Sequence, residues 1–212
     1  MSTTSDDQQS TRSATGGPSP SRHGGRRRNE EARRAILDAA YTSLVEGGFN
    51  KTSIEEIARR AGAGKSTVYR WWKSKAALLL DAVHEREITY PTFQYTGDPR
   101  TDLRNEVRAV LTFYAGETGS ATLDLFAEAR FDDVLHDELM ERFIKVRRDF
   151  TTEFFRRAGA DGLVRKGLAV DVVMDSIWGA VYYRLLVMRV TPDLDYADRL
   201  IETVWPSLAP ER

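Results

Sequence analysis

The sequence predicts an all-α fold, and three observations indicate it. Beyond about residue 28, apolar residues recur almost everywhere at spacings of three and four, as on one face of a helix. No stretch alternates between apolar and polar residues for long enough to predict a strand. The 212 residues are 41% hydrophobic and 30% charged, which is typical of a globular protein with a sizeable core.

The first 28 residues are predicted to be a disordered tail that ends in a basic arm. Ser, Thr, Gly and Pro occupy 16 of the first 25 positions, so the segment buries too little apolar surface to offset the entropy lost on ordering. Three arginines at 26–28 close the tail. The rest of the chain divides into a first unit over 29–73 and a larger helical domain over 74–212.

Capping signals divide the first unit into three helices. Asn29 is a candidate N-cap, and paired glycines at 47–48 end that helix. Thr52 is the candidate cap of the second helix, with Glu55 three residues later, as in a capping box. The three helices are expected over 29–46, 52–61 and 66–72.

A second set of helices follows. Ser74 is the candidate cap of a helix that runs to near Tyr90. Two prolines and a glycine in YPTFQYTGDPR, residues 90–100, then break the pattern. Further helices are expected at roughly 100–116, 120–131, 133–158, 168–190 and 193–206.

The segment AGAGKSTVYRWWKSK, residues 61–75, packs hydroxyls, aromatics and positive charge into a few turns of chain. Its two glycines supply a tight turn between two short helices, the pattern of a helix-turn-helix, whose second helix enters the DNA major groove. Residues 51–75 carry a net charge of +5, whereas residues 91–212 carry −5. This split predicts that the first unit meets a polyanion, and double-stranded DNA is the expected partner.

Side-chain chemistry indicates the candidate contacts. Lysines and arginines neutralise phosphates, short hydroxyls donate near the helix N-terminus, and Tyr69 offers a hydroxyl and a flat ring. Since a surface seldom exposes two adjacent indoles, Trp72 is expected inside and Trp71 partly exposed near DNA. The candidate DNA-binding residues are Thr52, Lys65, Ser66, Thr67, Tyr69, Arg70, Trp71, Lys73, Lys75, Arg26, Arg27 and Arg28.

These residues carry a family resemblance. TSIEEIARRAGAGKSTVYRWWKSKAALL, residues 52–79, is similar to the DNA-binding region of the TetR family of bacterial transcription regulators. The positions that match the family pattern are Thr52, Ile57, Ala58, Ala61, Gly62, Thr67, Tyr69, Lys75 and Leu78. The departures are Ala63 for Val, Gly64 for Ser, Ser66 for Gly, Val68 for Leu and Trp72 for Phe.

The resemblance implies more than a fold. It implies an all-helical homodimer with a variable C-terminal ligand-binding domain, and a repressor that a small molecule releases from a palindromic operator. It also implies phosphate contacts for Tyr69 and Lys75, while Ser66, Thr67 and Arg70 lie nearer to base edges. The arginines at 26–28 have two interpretations: an arm in the adjacent minor groove, or a solubilising charge run.

The second domain carries candidates for dimerisation and ligand binding. In the resembled family the last two long helices pair with their copies in a four-helix bundle; the alternative is that they pack within one subunit. The candidate interface residues are Ile177, Ala180, Val181, Arg184, Leu185, Met188, Leu200, Ile201 and Val204. The candidate pocket residues, which could equally be ordinary core, are Phe113, Phe126, Phe143, Trp178 and Tyr182.

Other classes of function find little support in the sequence. There is no Cys, no G-x-S-x-G and no convergent carboxylate pair, and the three histidines share no ligand spacing, so we expect neither an enzyme, nor a cofactor, nor a metal site. No apolar run approaches the roughly 20 residues of a membrane span, and the N-terminus lacks the apolar segment of a secretory signal. A cytoplasmic protein with no membrane partner is expected. The alternatives are a helix-turn-helix regulator without an inducer, an adaptor that has lost DNA affinity, and a small helical enzyme.

Overall fold

The computed structural model describes residues 22–86 and 94–211, with side chains from Arg27 onward. Both ranges are helical, and neither contains a strand, so the all-α prediction is confirmed. The helices are α1 (Arg22–Lys51), α2 (Ile54–Arg60), α3 (Lys65–Trp71), α4 (Lys75–Arg86), α5 (Pro99–Ala115), α6 (Glu117–Glu128), α7 (Asp133–Leu139), α8 (Lys145–Ala160), α9 (Val170–Tyr182) and α10 (Leu194–Leu208). Single π-helical turns follow α7 at Met140–Ile144 and α9 at Tyr183–Val187.

Helix α1 begins earlier than the cap signals predict. It begins at Arg22, so Asn29 lies inside the helix and does not cap it. The predicted stop at the paired glycines is a kink, because Gly48 has a positive φ of 72° and the chain resumes a short helical stretch to Lys51. The prediction of a tail up to residue 28 is therefore wrong for residues 22–28, and residues 1–21 lie outside the described ranges.

A first hydrophobic core joins α1–α4 to α6 and α7. Its fully buried side chains include Ile57 of α2, Leu78 of α4, Leu125 of α6 and Leu135 of α7. The DNA-binding unit predicted over 29–73 thus shares one continuous apolar interior with helices of the second domain. We expect these helices to unfold together, since a shared core is the unit of cooperative packing.

A second hydrophobic core lies between α5, α8, α9 and α10. Leu111 of α5, Ile177 of α9 and Ile201 of α10 are at most 2% exposed. The two cores meet where α5 crosses α6. A Cβ added at Gly119 would lie 2.1 Å from the carbonyl oxygen of Phe113, so only glycine allows this close approach.

Candidate nucleic-acid interface and C-terminal cavity

A short turn sets the angle between α2 and α3. Ser53 caps α2, since its Oγ accepts a hydrogen bond from the Glu56 amide at 3.2 Å. Gly62 has a φ of +62°, the left-handed conformation that glycine adopts without strain. Gly64 is the N-cap of α3 and provides no side-chain cap, as its departure from the family Ser predicted. The first turn of α3 therefore presents backbone amides without a side-chain acceptor from the cap.

The buried side of α3 fixes which residues point outward. Val68 is fully buried and Trp72 is 3% exposed, so both pack on the first core. Tyr69 on the opposite side is 46% exposed, and Ser66 and Lys73 are also exposed. The predicted orientation of the two indoles is confirmed, because Trp71 is only partly buried while Trp72 lies in the core.

Existing partners restrain the charged residues of this face. An Nη2 of Arg70 donates to Asn29 Oδ1 at 3.1 Å, and the guanidinium lies 5.0 Å from the centre of the Trp71 ring. Lys65 Nζ is 2.7 Å from Glu55 Oε1, so this ion pair joins α3 to α2. Such exposed pairs contribute little stability and exchange readily for phosphate.

Acidic side chains in the first turn of α2 pair with basic side chains in its last turn. Arg59 and Arg60 both donate to the Glu56 carboxylate at 2.7–2.8 Å, and these hydrogen bonds lower the pKa of Glu56 to about 2. The carboxylate is therefore ionised at every physiological pH. It holds the two guanidinium groups along the flank of the helix-turn-helix.

Two predicted DNA contacts have other partners in the structure. Thr52 is 4% exposed, and its hydroxyl donates to the carbonyls of Ser43 at 3.0 Å and Gly48 at 2.8 Å. It therefore fastens the α1 kink and offers no group to DNA. Lys75 Nζ donates to the Phe49 carbonyl at 2.9 Å and lies over the Phe49 ring, and burial lowers its pKa. This ammonium ties α4 to the end of α1.

The arginines predicted as a flexible arm lie in or beside helix. Arg27 and Arg28 are exposed residues of α1, and Arg27 Nε donates to Glu31 Oε1 at 3.0 Å. The side chain of Arg26 lies outside the described residues. The helical backbone gives these cations fixed directions, so the prediction of a flexible arm is wrong for Arg27 and Arg28.

A cavity of about 280 Å³ opens between α8 and α9 in the second domain. Its volume is close to the lower end of the range for ligand pockets. The lining residues are Ile144, Arg147, Arg148, Thr151, Met174, Asp175, Trp178, Gly179 and Tyr182. Behind the lining, Arg147 pairs with the buried carboxylate of Glu106, whose pKa burial raises.

Only two of the five predicted pocket aromatics line this cavity. Trp178 forms one wall, with the Arg147 guanidinium 5.2 Å from its ring centre, and Tyr182 bonds the Tyr114 hydroxyl at 3.0 Å. Phe113 and Phe126 pack beside this pair without lining the cavity, and Phe143 packs edge-on against His84, 6.3 Å away. The sequence predicted the aromatic cluster but missed Arg147 and Met174.

The predicted dimer interface is wrong for five of its nine residues. The structure buries the following predicted residues inside their own subunit, at 9% exposure or less: Ile177, Val181, Leu185, Leu200 and Ile201. Ala180, Arg184 and Val204 are partly buried, with Arg184 lying over the Tyr196 ring, and Met188 is 49% exposed. The helical stripe found in the sequence is thus the face of α9 that packs on α8 and α10.

The opposite face of α9 is the apolar surface that the sequence analysis missed. Val172, Tyr183 and Val187 are 57–68% exposed, and Gly179 lies exposed between them. Their spacings of seven, four and four residues place them along one side of the helix and its terminal π turn. The exposed apolar residues could have been found by plotting the second stripe of α9 beside the first.

None of the helices within residues 22–86 and 94–211 is long and apolar enough to cross a membrane. The same ranges contain no group of three or more His, Cys, Asp or Glu residues placed to hold a metal ion.

Two family models match most of the chain. A model described as bacterial regulatory proteins of the tetR family matches residues 36–82, which span the helix-turn-helix. A model described as the tetracyclin repressor-like C-terminal domain matches residues 93–204. Each match falls on the part of the chain for which the sequence predicted that role.

Individual relatives agree with the family models. The HTH-type transcriptional regulator YdeS of Bacillus subtilis (strain 168) is 31% identical over 159 residues, which are 75% of this chain and 80% of its own length. A DNA-binding transcriptional repressor, TetR, of Mycobacteroides abscessus is 38% identical over 77 residues, 35% of this chain and 40% of its own length. The crystal structure of the TetR family transcription regulator SCO0332 superposes with a TM-score of 0.67 at 31% identity, covering 85% of this chain and 100% of that one.

Proposed function

The chain belongs to the TetR family of DNA-binding transcriptional regulators, and from that premise we propose that it is a homodimeric repressor released from its operator by a small molecule. The observation that carries the proposal is the outward face of α3. Val68 and Trp72 anchor this helix in the first core, so Ser66, Tyr69 and Arg70 project from a rigid element. The alternative of an adaptor without DNA affinity does not account for this concentration of donors and positive charge. As a regulator of transcription the protein would work in the cytoplasm.

We assign different roles to the side chains of α3. Arg70 is the candidate for reading a base edge, because a guanidinium can donate twice to guanine in the major groove once it leaves Asn29. Tyr69 and Lys73 are candidates for phosphate contacts, since both are exposed and neither side chain is buried in the core. Ser66 and Thr67 lie on the first turn, where their hydroxyls can reach either groove edge or backbone.

The proposed dimer uses the exposed face of α9. Val172, Tyr183 and Val187 form an apolar stripe, and exposed Gly179 allows a second helix to approach closely. A two-fold axis through this stripe brings each residue onto its own copy or a near neighbour, as in an isologous interface. Two recognition helices would then read half-sites about 34–36 Å apart on a palindrome.

The cavity between α8 and α9 is the proposed ligand site. Met174, Trp178 and Tyr182 provide apolar surface, and Arg147 and Thr151 provide polar groups that can fix the orientation of a ligand. A ligand releases the repressor only if it binds the non-operator conformation more tightly. The same linkage requires operator DNA to weaken ligand binding by an equal factor.

DNA binding is tested by selecting duplexes from random sequence with the purified protein. We expect a palindromic consensus and an affinity that falls steeply with salt. Arg70→Ala should relax the preference at one base pair per half-site at a cost of about 1–3 kcal/mol. Lys73→Ala, the matched control, should weaken all duplexes alike and reduce the salt slope by about one unit per subunit. Equal affinity for the selected and a scrambled duplex would contradict the proposal.

Dimerisation is tested separately by sedimentation. Val187→Glu places a charge on the exposed α9 stripe and should convert the dimer to a monomer with unchanged helix content. Val146→Glu introduces the same charge at an exposed site on α8 and should leave the dimer intact. If the protein sediments as a monomer at micromolar concentration before any substitution, the proposed interface is wrong.

A further inference from the structure

A single carboxylate joins the recognition helix to the second domain. Trp72, directly after α3, donates its indole Nε1–H to Asp81 Oδ2 at 2.7 Å. The other oxygen of Asp81 accepts a hydrogen bond from Arg142, in the π turn between α7 and α8. Each carboxylate oxygen therefore has its own donor, one from the end of α3 and one from the π turn before α8.

The site around this carboxylate is partly shielded from water. Trp72 is 3% exposed, and the side chains of Asp81 and Arg142 are 25% and 31% exposed. Arg33 of α1 adds a second cation 3.9 Å from Asp81 Oδ2, and its guanidinium lies 5.8 Å from the Trp72 ring centre. Charge-assisted hydrogen bonds in such surroundings are stronger and more directional than exposed ones.

The indole of Trp72 is a departure from the motif that the helix-turn-helix resembles. The pattern that the helix-turn-helix resembles has Phe where this chain has Trp72, and a phenyl ring fills the core without offering a donor. The bond to Asp81 therefore adds a directional restraint to an otherwise apolar anchor. A restraint at the last turn of α3 limits rotation of the face that carries Ser66, Tyr69 and Arg70.

Arg142 lies on the same helical run as the cavity wall. Ile144 ends its π turn, and Arg147 follows in the first turn of α8; both line the cavity. A π turn holds one extra residue per turn, and such turns occur frequently at functional sites because they can shift register. A movement of this segment would shift the guanidinium of Arg142 relative to the carboxylate of Asp81.

We propose that Asp81 is a positioning residue for DNA binding, which holds α3 in its DNA-reading orientation by bonding Trp72 on one side and Arg142 on the other. Arg142 orients the carboxylate, and the carboxylate orients the indole. Removing the Arg142 guanidinium, which lies in the second domain, therefore weakens the restraint on Trp72 in the DNA-binding unit. The proposal rests on the family's DNA-binding function and is independent of the identity of any ligand.

The first test needs neither DNA nor a ligand. The chain has four tryptophans, so the proton–nitrogen spectrum of the full-length protein contains four indole signals, and Trp72→Phe identifies one of them. Arg142→Gln should shift that signal and speed its exchange with solvent. Arg156→Gln, which removes an arginine whose partner is Glu153 on exposed α8 surface, should leave it in place. An unmoved Trp72 signal in Arg142→Gln would overturn the proposal.

The second test measures affinity for a duplex selected by the unaltered protein. Trp72→Phe, Asp81→Asn and Arg142→Gln should each weaken binding about tenfold, which is 1.4 kcal/mol. The double variant Trp72→Phe with Arg142→Gln should bind DNA about as tightly as the weaker-binding of the two single variants. Both substitutions break the same chain of hydrogen bonds, so their effects should not add. Arg142→Lys should restore part of the affinity, and Arg156→Gln should not change it.

These measurements separate positioning from support of the fold. A merely structural role would lower the unfolding temperature of the three variants while their affinity, measured well below that temperature, stayed unchanged; that outcome rejects the proposal. Additive losses in the double variant would also reject it. If no duplex is selected by the unaltered protein, the proposed repressor function fails, while the indole spectrum still decides whether Arg142 controls Trp72.

Discussion

The two hydrophobic cores of this protein differ in what they bury. The first, shared by α1–α4, α6 and α7, is formed mainly by aliphatic side chains together with Phe49 and Trp72, and the buried Thr52 hydroxyl bonds backbone carbonyls beside it. The second, between α5 and α8–α10, carries the carboxylates of Asp102 and Glu106 among the buried residues of its helices. Among the described residues, buried acids belong to the second region alone.

The difference indicates which region is built to be rigid and which to respond. A core of apolar side chains is close-packed, so its helices cannot shift without opening voids. A region with a buried ion pair, a tyrosine pair and a cavity has polar groups that can exchange partners when a ligand enters. Since the first core includes α6 and α7, a change in the second region reaches the DNA-binding helices through packed elements rather than across a linker.

The largest expected effect is at the seam between the cores. Gly119→Ala puts a methyl group within 2.1 Å of the Phe113 carbonyl and 2.5 Å of the Tyr114 Cα, so α5 and α6 must separate. We expect a loss of at least ~4 kcal/mol in the free energy of unfolding, which is exceptional for one substitution. Urea unfolding measures it. Gly159→Ala in α8, whose nearest contact is an ordinary 4.0 Å, is the control and should be neutral or slightly stabilising.

Truncating one buried side chain in each core should have a smaller effect, and it should show which helices each core stabilises. Leu135→Ala and Ile201→Ala each remove a fully buried side chain and should each cost about 2–5 kcal/mol. Amide hydrogen exchange should distinguish them. Leu135→Ala, though it lies in α7, should speed exchange in α1–α4, whereas Ile201→Ala should act mainly in α5, α8 and α9. Faster exchange in α3 for both variants alike would mean that the protein has one cooperative core.

The sequence predicted the helices well and their ends less well. Apolar periodicity is set by burial, so α5, α6 and α10 lie within a few residues of their predicted ranges. The ends depend on contacts that spacing does not reveal. Thr52 looks like a cap, yet its hydroxyl bonds carbonyls of α1, and the neighbouring Ser53 caps α2. The π turns within the two long predicted helices likewise leave no periodic signature at this length.

The site was predictable where local chemistry decides it. Trp72 is buried because it follows Val68 by one turn on the same helical face, and Tyr69 is exposed because it lies on the opposite side. Tertiary partners decided the rest: Lys75 is drawn to the Phe49 carbonyl 26 residues away, and the apolar stripe of α9 chosen as a dimer interface faces its own subunit. When one helix carries two apolar stripes, the sequence does not show which of them faces a partner subunit. That depends on which stripe the neighbouring helices cover.

The smallest expected effect is a difference in pH dependence between the two regions. Glu56 of α2 has its pKa lowered from 4.5 to about 2 by Arg59 and Arg60, so its contribution to stability is present above pH 4.5 and is lost as the pH falls toward 2. Glu106 of α5 has its pKa raised by burial. The folded state therefore favours its protonated form, and stability rises as the pH falls through that raised value toward 4.5.

Substituting Glu56 and Glu106 in turn distinguishes their opposite effects on the pH dependence of stability. The free energy of unfolding, measured in urea from pH 2.5 to 8, should decline less steeply below pH 4.5 in Glu56→Gln than in the unaltered protein, because the salt-linked carboxylate is gone. Glu106→Gln should instead lose the rise in stability that accompanies acidification toward pH 4.5. The exposed pair is screened by salt, so added salt should shrink the Glu56 difference and leave that of buried Glu106 nearly unchanged. If stability changes with pH in the same direction at both sites, the ion pair with Arg147 outweighs the burial of Glu106. The second core would then hold its charged groups in fixed positions, as the first core holds its apolar side chains.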